Sequence, residues 1–264
     1  MGSGGQRSVK RRATGGTVAS ATTQASTVAA AATSAASTGG TFSVSDFQKM
    51  SVDDQFDLVQ KSIQGKVAGS YYTWDTDYQR FINNSGLDGA PNLVDDKTLD
   101  SMSGTETFRT TNENRAFPGK AIAVKTQTDD KLLYNAGGQE WYGKGLYSAT
   151  NLGSSLAYGD NAKAAVMRFK VDDSKIVSTS VVGMWEFKEA RDKNSLYHKL
   201  DNAGYDPDTK RAILTLSKGY TAIDNENGYL TILTRKGVNM SKSIKQKGNA
   251  SRGSGNWNDL KDYK

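Results

Sequence analysis

The segment "WYGKGLYSATNLGSSLAYGD", residues 141–160, decides how this chain is interpreted. Because glycine lets another group approach the backbone closely, Gly143 and Gly145 beside Tyr147 predict a strand end that contacts a ligand. The residues "GSSLAYG" predict a short helix after that strand. Composition alone favours a glycine-rich turn packed by aromatic side chains, and the ligand-contacting interpretation depends on the context of the segment.

Two further segments combine charged side chains with strand patterns. In "ETFRTTN", Arg109 and Thr110 lie on a short apolar strand, where a guanidinium can bind a phosphate or a carboxylate, or simply face water from an edge strand. In "AIDNENGYLTILTR", Asp224 and Glu226 precede an apolar, β-branched run. An acidic pair before a strand is either a polar loop or part of a site, depending on what lies opposite.

The composition excludes several kinds of active site. The chain has no cysteine, so thiolate nucleophiles, disulfides and cysteine-ligated zinc are absent. Its one histidine, His198, excludes a multi-histidine metal centre and a Ser-His-Asp triad. Any chemistry therefore depends on carboxylates, hydroxyls, arginine, lysine and backbone dipoles.

The first 41 residues predict a disordered basic tether. The run "RSVKRR" is followed over residues 13–40 almost entirely by Ala, Ser, Thr and Gly, which cannot offset the entropy of ordering. The basic run either binds nucleic acid or another acidic partner, or is a solvated tail. We expect no signal peptide and no membrane partner, since no stretch is apolar enough for either.

The remaining pattern predicts an α+β fold, with an N-terminal helical layer, a mixed β-sheet core and disordered basic tails. One domain is expected over residues 42–240, with a helical lead-in at 42–104 and the sheet core at 105–240. Residues 241–264 predict a flexible basic tail. Helical periodicity starts in residues 43–65, where Val52, Phe56, Val59 and Ile63 predict one apolar stripe and Ser51 with Asp54 resembles a capping box. The other predicted helices cover residues 73–86, 95–102, 184–204 and 208–219. The predicted strands cover residues 106–111, 121–127, 164–171, 175–182, 220–224 and 229–235.

Together the three segments resemble the three-part signature of the ADP-ribosyltransferases, and most of all the phage and bacterial mono-ADP-ribosyltransferases of the Arg-Ser-Glu class. "YGKGLYSATNLGSSLAY" is similar to the central segment of that superfamily, and "FRTT" is similar to its arginine strand. The acidic segment departs from the pattern, because Asn227 and Gly228 separate Glu226 from the following strand. The resemblance covers approximately residues 87–238.

The resemblance implies an enzyme that cleaves the nicotinamide–ribose bond of NAD and transfers ADP-ribose to a protein side chain. NAD is the implied co-substrate and no metal is needed. Since Asp224 precedes the glutamate, arginine is the implied acceptor in a target protein that the sequence does not identify. The implied catalytic residues are Glu226, Ser148, Arg109 and Asp224. The implied NAD-binding residues are Arg109, Thr110, Gly143, Gly145, Tyr147, Thr150 and Tyr158.

The same resemblance implies a role for each group. Arg109 grips the pyrophosphate or a ribose hydroxyl, while the amides near Gly143 and Gly145 bind the nicotinamide carboxamide. Tyr147 and Tyr158 stack on the pyridinium ring. Ser148 holds Glu226 in position, with Thr150 as a lesser hydroxyl, and the ionised Glu226 stabilises the developing positive charge.

Two other functions are compatible with the sequence. A phage virion or structural protein could keep this fold without the catalytic acid, as the irregular acidic segment permits. A nucleic-acid-binding module would instead use the two basic ends. A protein of phage origin would be found in the virion or in the host cytoplasm.

Overall fold

The computed structural model describes residues 42–64, 77–89, 91–111, 145–158, 162–250 and 255–262. Over these residues the chain forms helices and a mixed sheet, so the predicted α+β class is confirmed. The predicted tether at 1–41, the predicted strand at 121–127 and Gly143 lie outside the described residues. No helix of the described ranges is long and apolar enough to cross a lipid bilayer.

The elements follow in chain order. The helices are α1 (Val44–Lys49), α2 (Val52–Gln64), α3 (Asp77–Asn84), α4 (Asp96–Ser101), α5 (Leu152–Leu156), α6 (Thr179–Glu189), α7 (Leu196–Asn202) and α8 (Pro207–Ser217). The strands are β1 (Asn92–Val94), β2 (Thr105–Thr111), β3 (Leu146–Ala149), β4 (Ala165–Val171), β5 (Ile176–Ser178), β6 (Ala222–Asp224), β7 (Tyr229–Ile232), β8 (Asn239–Ser241), β9 (Lys245–Gln246) and β10 (Lys261–Asp262).

The described strands form one sheet in the order β1-β8-β4-β2-β3-β7-β6-β5, with β9 beside β4 and β10 beside β9. The pairs β1–β8 and β5–β6 are parallel, and the other pairs are antiparallel. This order differs from the chain order, so segments far apart in sequence become neighbours at the centre of the sheet.

The sheet has two faces that are named here by their side chains. Partners in register lie on the same face, and alternate residues of a strand point to opposite faces. The front face carries Phe108, Tyr147, Thr231 and Ile223. The back face carries Met167, Arg109, Ser148, Leu230 and Asp224.

Apolar side chains cover both faces. At the β5–β6 end of the front face, helices α1, α2, α3, α6, α7 and α8 pack in one cluster with Val177 and Ile223. At the β2–β4 end of the same face, Phe108 packs with Leu152, Leu156 and Trp257. The back face has its own cluster around Met167 and Leu230. The centre of the front face, over β3 and β7, therefore lies between two packed regions.

The start of the helical layer agrees with its sequence signals. The Ser51 hydroxyl donates to Asp54 at 2.6 Å, and the Asp54 N–H donates back to Ser51 at 3.2 Å, as the predicted cap requires. On α2, Val59 and Ile63 are buried while Val52 and Phe56 pack partly against the same cluster. The predicted apolar stripe is therefore confirmed.

The predicted strand at residues 175–182 is half wrong. Only Ile176–Ser178 is a strand, and α6 begins at Thr179. The Ser178 hydroxyl accepts a hydrogen bond from the Val181 N–H and so caps the helix. Val182 is fully buried in the helical cluster, and this packing overrides the β preference of two adjacent valines.

The C-terminal segment also differs from its prediction as a loose tail. Strand β9 pairs with β4, and β10 pairs with β9. Trp257 and Leu260 are buried in the front-face cluster with Phe108. The segment is mostly polar, which predicts a loose tail, but its few apolar side chains are buried against the end of the sheet.

Candidate functional site

The three segments singled out in the sequence lie on neighbouring strands. Arg109 is on β2, Ser148 is on β3, and the turn containing Glu226 leads into β7. Phe108 pairs with Ala149, and Ser148 pairs with Leu230. The sheet thus assembles residues that are tens of positions apart in the chain.

Gly145 allows β3 to enter the sheet beside β7. Its φ of +145° is unfavourable for other residues, and a Cβ atom there would lie 2.7 Å from the Ile232 carbonyl oxygen and 2.8 Å from Cγ2 of Thr231. The predicted close approach at this glycine is present, but the neighbouring group is strand β7 of the same chain. Gly143 lies outside the described residues.

Thr150 joins the end of β3 to the acidic turn. Its N–H and its hydroxyl both donate to the Gly228 carbonyl, at 2.9 and 3.1 Å. This pair of bonds fixes the turn relative to the central segment. Thr150 therefore has a positioning role toward the turn that contains Glu226.

Aromatic and hydroxyl side chains gather at the centre of the front face. Tyr147 points to this face because it alternates with Ser148, and Thr110 lies there with Phe108. The Thr110 and Ser155 hydroxyls are hydrogen-bonded at 2.9 Å and buried. We call these residues, with Tyr158 and Tyr229, the front strip. Its members are Thr110, Tyr147, Ser155, Tyr158 and Tyr229.

Two tyrosines form the exposed part of the front strip. The Tyr158 and Tyr229 rings meet edge to face, with centroids 5.8 Å apart and an interplanar angle of 87°. Tyr158 is 56% exposed, so much of its ring is open to solvent. An exposed ring held in a fixed orientation offers a stacking surface to a planar ligand.

Arg109 does not belong to the front strip, contrary to the predicted NAD-binding set. It points to the back face, is 9% exposed, and donates from Nη1 to the Tyr147 carbonyl at 2.8 Å. Burial lowers the pKa of Arg109 to about 10. Among the described residues no carboxylate forms an ion pair with it, and its Nε has no hydrogen-bond partner.

The side chains of β2 replace part of the ladder between β2 and β3. Phe108 and Ala149 are the register pair of these two strands in the described residues. On either side of that pair, the Thr107 hydroxyl donates to the Ala149 carbonyl at 3.0 Å and Arg109 donates to the Tyr147 carbonyl. Arg109 therefore lies on the back face and fixes the position of β3, whose Tyr147 side chain belongs to the front strip.

Ser148 and Glu226 do not meet, although the resemblance implies that Ser148 holds the glutamate. Ser148 is buried on the back face, and its hydroxyl donates to the Leu230 carbonyl at 3.2 Å. Glu226 accepts from the Ser180 hydroxyl at 2.6 Å instead. The reason is local, because Asn227 and Gly228 separate the glutamate from β7 and place it in the turn.

The turn that carries Glu226 is strained and held by its neighbours. Glu226 has a φ of +59°, and its N–H donates to Asp224 Oδ1 at 2.9 Å. Asn225 donates to the Thr231 hydroxyl at 3.0 Å, which draws the turn toward the front face. Strained backbone of this kind persists where the surroundings fix it, and it is often found at functional sites.

The Glu226 carboxylate is exposed and ionised. The hydrogen bond from Ser180 lowers the pKa of Glu226, desolvation opposes this in part, and Ser178 lowers it further. Ser178 is the N-cap of α6 and Ser180 lies in its first turn, where the helix dipole also favours a negative charge. Helix capping alone accounts for this arrangement, and it also presents a charged group beside the front strip.

Sequence reasoning missed Ser155, Ser180 and Tyr229. Ser155 lies on the predicted short helix after β3, and helical periodicity could have placed it opposite β2. The strand predicted at residues 175–182 includes Ser180, although the hydroxyl run "STS" before an apolar segment is a signal for a helix start. No local signal places Tyr229 against Tyr158.

The arrangement combines an aromatic stacking surface, a buried hydroxyl pair and an exposed, ionised carboxylate. Within the residues the structure describes, no three acidic or histidine side chains form a group that could hold a metal ion. Comparison of this chain with protein-family models, with curated proteins and with solved structures gives no match.

Proposed function

We propose that this protein is an NAD-dependent mono-ADP-ribosyltransferase that uses the front strip to bind the nicotinamide end of NAD and Glu226 as its carboxylate. The observation that carries the proposal is the adjacency of β2, β3 and β7. These strands bring together the three segments that resemble the superfamily signature. A chance likeness in sequence would not require these segments to be neighbours in the fold.

The residues present fit a planar cationic ring better than they fit a phosphate. Tyr158 and Tyr229 offer an aromatic edge and face, and Tyr147 lies on the same face. Stacking of a pyridinium on such rings contributes about 0.5 to 2 kcal/mol. The hydroxyls of Thr110 and Ser155 belong to the same strip and would orient the carboxamide.

Glu226 provides the charge that this reaction needs. NAD supplies a leaving group that departs as neutral nicotinamide, and the ribose develops positive charge as in glycoside hydrolysis. An ionised carboxylate at this edge of the strip stabilises that charge and orients an acceptor. Asp224 fixes the turn through the Glu226 N–H, so its contribution acts through the position of Glu226.

Release of nicotinamide from NAD, with agmatine as a small guanidinium acceptor, tests the proposal. We expect turnover by the wild type and a loss of about a hundredfold or more in Glu226→Gln. The glutamine keeps an oxygen that accepts from Ser180, so the turn should persist. Asp57→Asn, an exposed carboxylate on α2, is the matched control and should be fully active.

Each result assigns a role. Activity that survives Glu226→Gln but not Asp224→Asn would transfer the catalytic role to Asp224. Absence of nicotinamide release by the wild type, with intact folding by circular dichroism, would contradict the proposal.

A second candidate is a phage virion or structural protein that keeps the fold without activity. It is favoured by one observation, namely that Glu226 caps α6 and lies apart from Ser148. In that case Glu226→Gln and Ser180→Ala would lower the stability of the protein, and nicotinamide release would be absent from every variant.

A further inference from the structure

Helix α6 presents an exposed stripe that begins at the candidate carboxylate. Ser180, Met184 and Phe187 follow one another at i, i+4 and i+7, which places them on one side of the helix axis. Arg191 lies in the turn after α6 and joins this stripe through its contact with Phe187. Met184 is 63% exposed and Phe187 is 66% exposed. Adjacent large apolar side chains with such exposure mark interaction surfaces when polar groups surround them.

The far end of the stripe is held in one arrangement. The Arg191 guanidinium lies over the Phe187 ring, 3.4 Å from its centroid. Arg191 Nη1 also donates to the Phe187 carbonyl at 3.0 Å. A ring fixed before binding loses less conformational entropy when a partner packs on it.

Charge is distributed unevenly along the stripe. The acidic side chains of α6 turn toward α8, where Glu186 pairs with Arg211 and Glu189 pairs with Lys218. The exposed charges at the far end are Lys188, Arg191, Asp192 and Lys193, so positive charge prevails there. At the near end the exposed charged residue is Glu226, which is negative.

The dimensions fit a short extended peptide. Seven residues of helix separate Ser180 from Phe187, a rise of about 10 Å. An extended chain covers that length in about three residues. If a positively charged residue of such a peptide faces Glu226, the residue three positions later lies at Phe187. The residue two positions after that one can reach Arg191.

We propose that this α6 stripe is the docking surface for the acceptor protein. The partner segment presents an arginine to Glu226, an apolar side chain to Met184 and Phe187, and an acidic side chain to Arg191. This inference rests on the proposed function for the identity of the partner, and it adds the recognition of sequence around the modified arginine.

Binding of a labelled peptide tests the stripe without requiring catalysis. The probe is a fluorescein-labelled hexapeptide with arginine first, leucine fourth, glutamate sixth and alanine elsewhere, titrated with the full chain by fluorescence anisotropy. We expect the double variant Met184→Ser with Phe187→Ser to weaken binding at least fivefold. Arg191→Glu should weaken binding of this peptide and strengthen binding of its counterpart with lysine sixth.

Controls separate docking from folding and from catalysis. Lys97→Glu, a charge reversal on the exposed side of α4, should leave both peptides unaffected. Equal binding by wild type and double variant would overturn the proposal, as would a wild-type dimer in light scattering that the double variant dissociates. Nicotinamide release is measured separately, so peptide binding without it would contradict the proposed function and leave the docking surface standing.

Discussion

The Ser180 hydroxyl donates a 2.6 Å hydrogen bond to Oε2 of Glu226 and thereby joins the β6–β7 turn to the first turn of α6. Within the described ranges, Glu226 is the only residue with a positive φ that is not glycine. The carboxylate is thus held at a helix N-terminus by a backbone that few residues adopt. This contact connects the candidate acid to the exposed stripe of α6.

Removing the Ser180 hydroxyl should raise the pKa of Glu226 toward its ordinary value, because that hydrogen bond is the largest cause of its lowered pKa. A carboxylate with a lowered folded-state pKa contributes stability above its unfolded pKa, and that contribution is lost as the pH falls through the folded value. As the pH is lowered from neutral, the free energy of unfolding of Ser180→Ala should therefore fall less than that of the wild type. Carbon-13 NMR titration of the carboxyl group measures the pKa, and Ser101→Ala on α4 should leave it unchanged.

Arg109 should tolerate methionine better than alanine, because its side chain is buried and methionine fills more of the space that it occupies. Arg109→Ala leaves a cavity and an unbonded Tyr147 carbonyl, which costs about 2 to 5 kcal/mol. Arg109→Met also removes the charge and the hydrogen bond but leaves a smaller cavity, so it should cost at least about 1 kcal/mol less. Urea unfolding compares them, and equal destabilisation would argue against a role in packing and positioning.

Two glycine substitutions should act in opposite directions. Gly145→Ala places a Cβ against strand β7 at a positive φ, and strain alone costs about 1 to 3 kcal/mol. Gly183→Ala lies within α6, where a Cβ meets nothing within 4 Å, and should stabilise by about 0.5 to 1 kcal/mol. Thermal and urea unfolding measure both changes. A neutral Gly145→Ala would mean that β3 does not enter the sheet as described.

The Thr110 and Ser155 hydroxyls should be coupled in stability. Ser155→Ala leaves the Thr110 hydroxyl buried without this partner, which costs about 1 to 3 kcal/mol. Thr110→Val together with Ser155→Ala should cost less than the sum of the single changes, by about 1 kcal/mol. A double-mutant cycle by urea unfolding measures the difference. Strict additivity would show that the two hydroxyls do not bond to each other.

Local patterns predicted much of the secondary structure because capping and periodicity act over a few residues. The Ser51 cap, the helix after β3 and the strand with Arg109 were all predicted correctly. The pattern failed where distant packing decides the conformation. Val181 and Val182 read as strand residues, but the apolar cluster beneath α6 makes them helical.

The sequence predicts which residue types the three segments contain, but it predicts only part of their arrangement in space. Alternation along β3 places Tyr147 and Ser148 on opposite faces, a consequence that needs only the strand assignment. The partner of Glu226 could not be predicted, because Ser180 lies 46 positions away and reaches the turn through the parallel pairing of β5 with β6.

The sequence by itself determined the fold class, the three segments and the kinds of side chain available for chemistry, because composition and local periodicity carry that information. Only the tertiary structure decided which of those side chains share a face. It placed the side chains of Arg109 and Ser148 on the back face of the sheet, and it connected Glu226 to α6 through a hydrogen bond. The physical reason is that strand order and register depend on contacts between distant residues, whose packing no local pattern records.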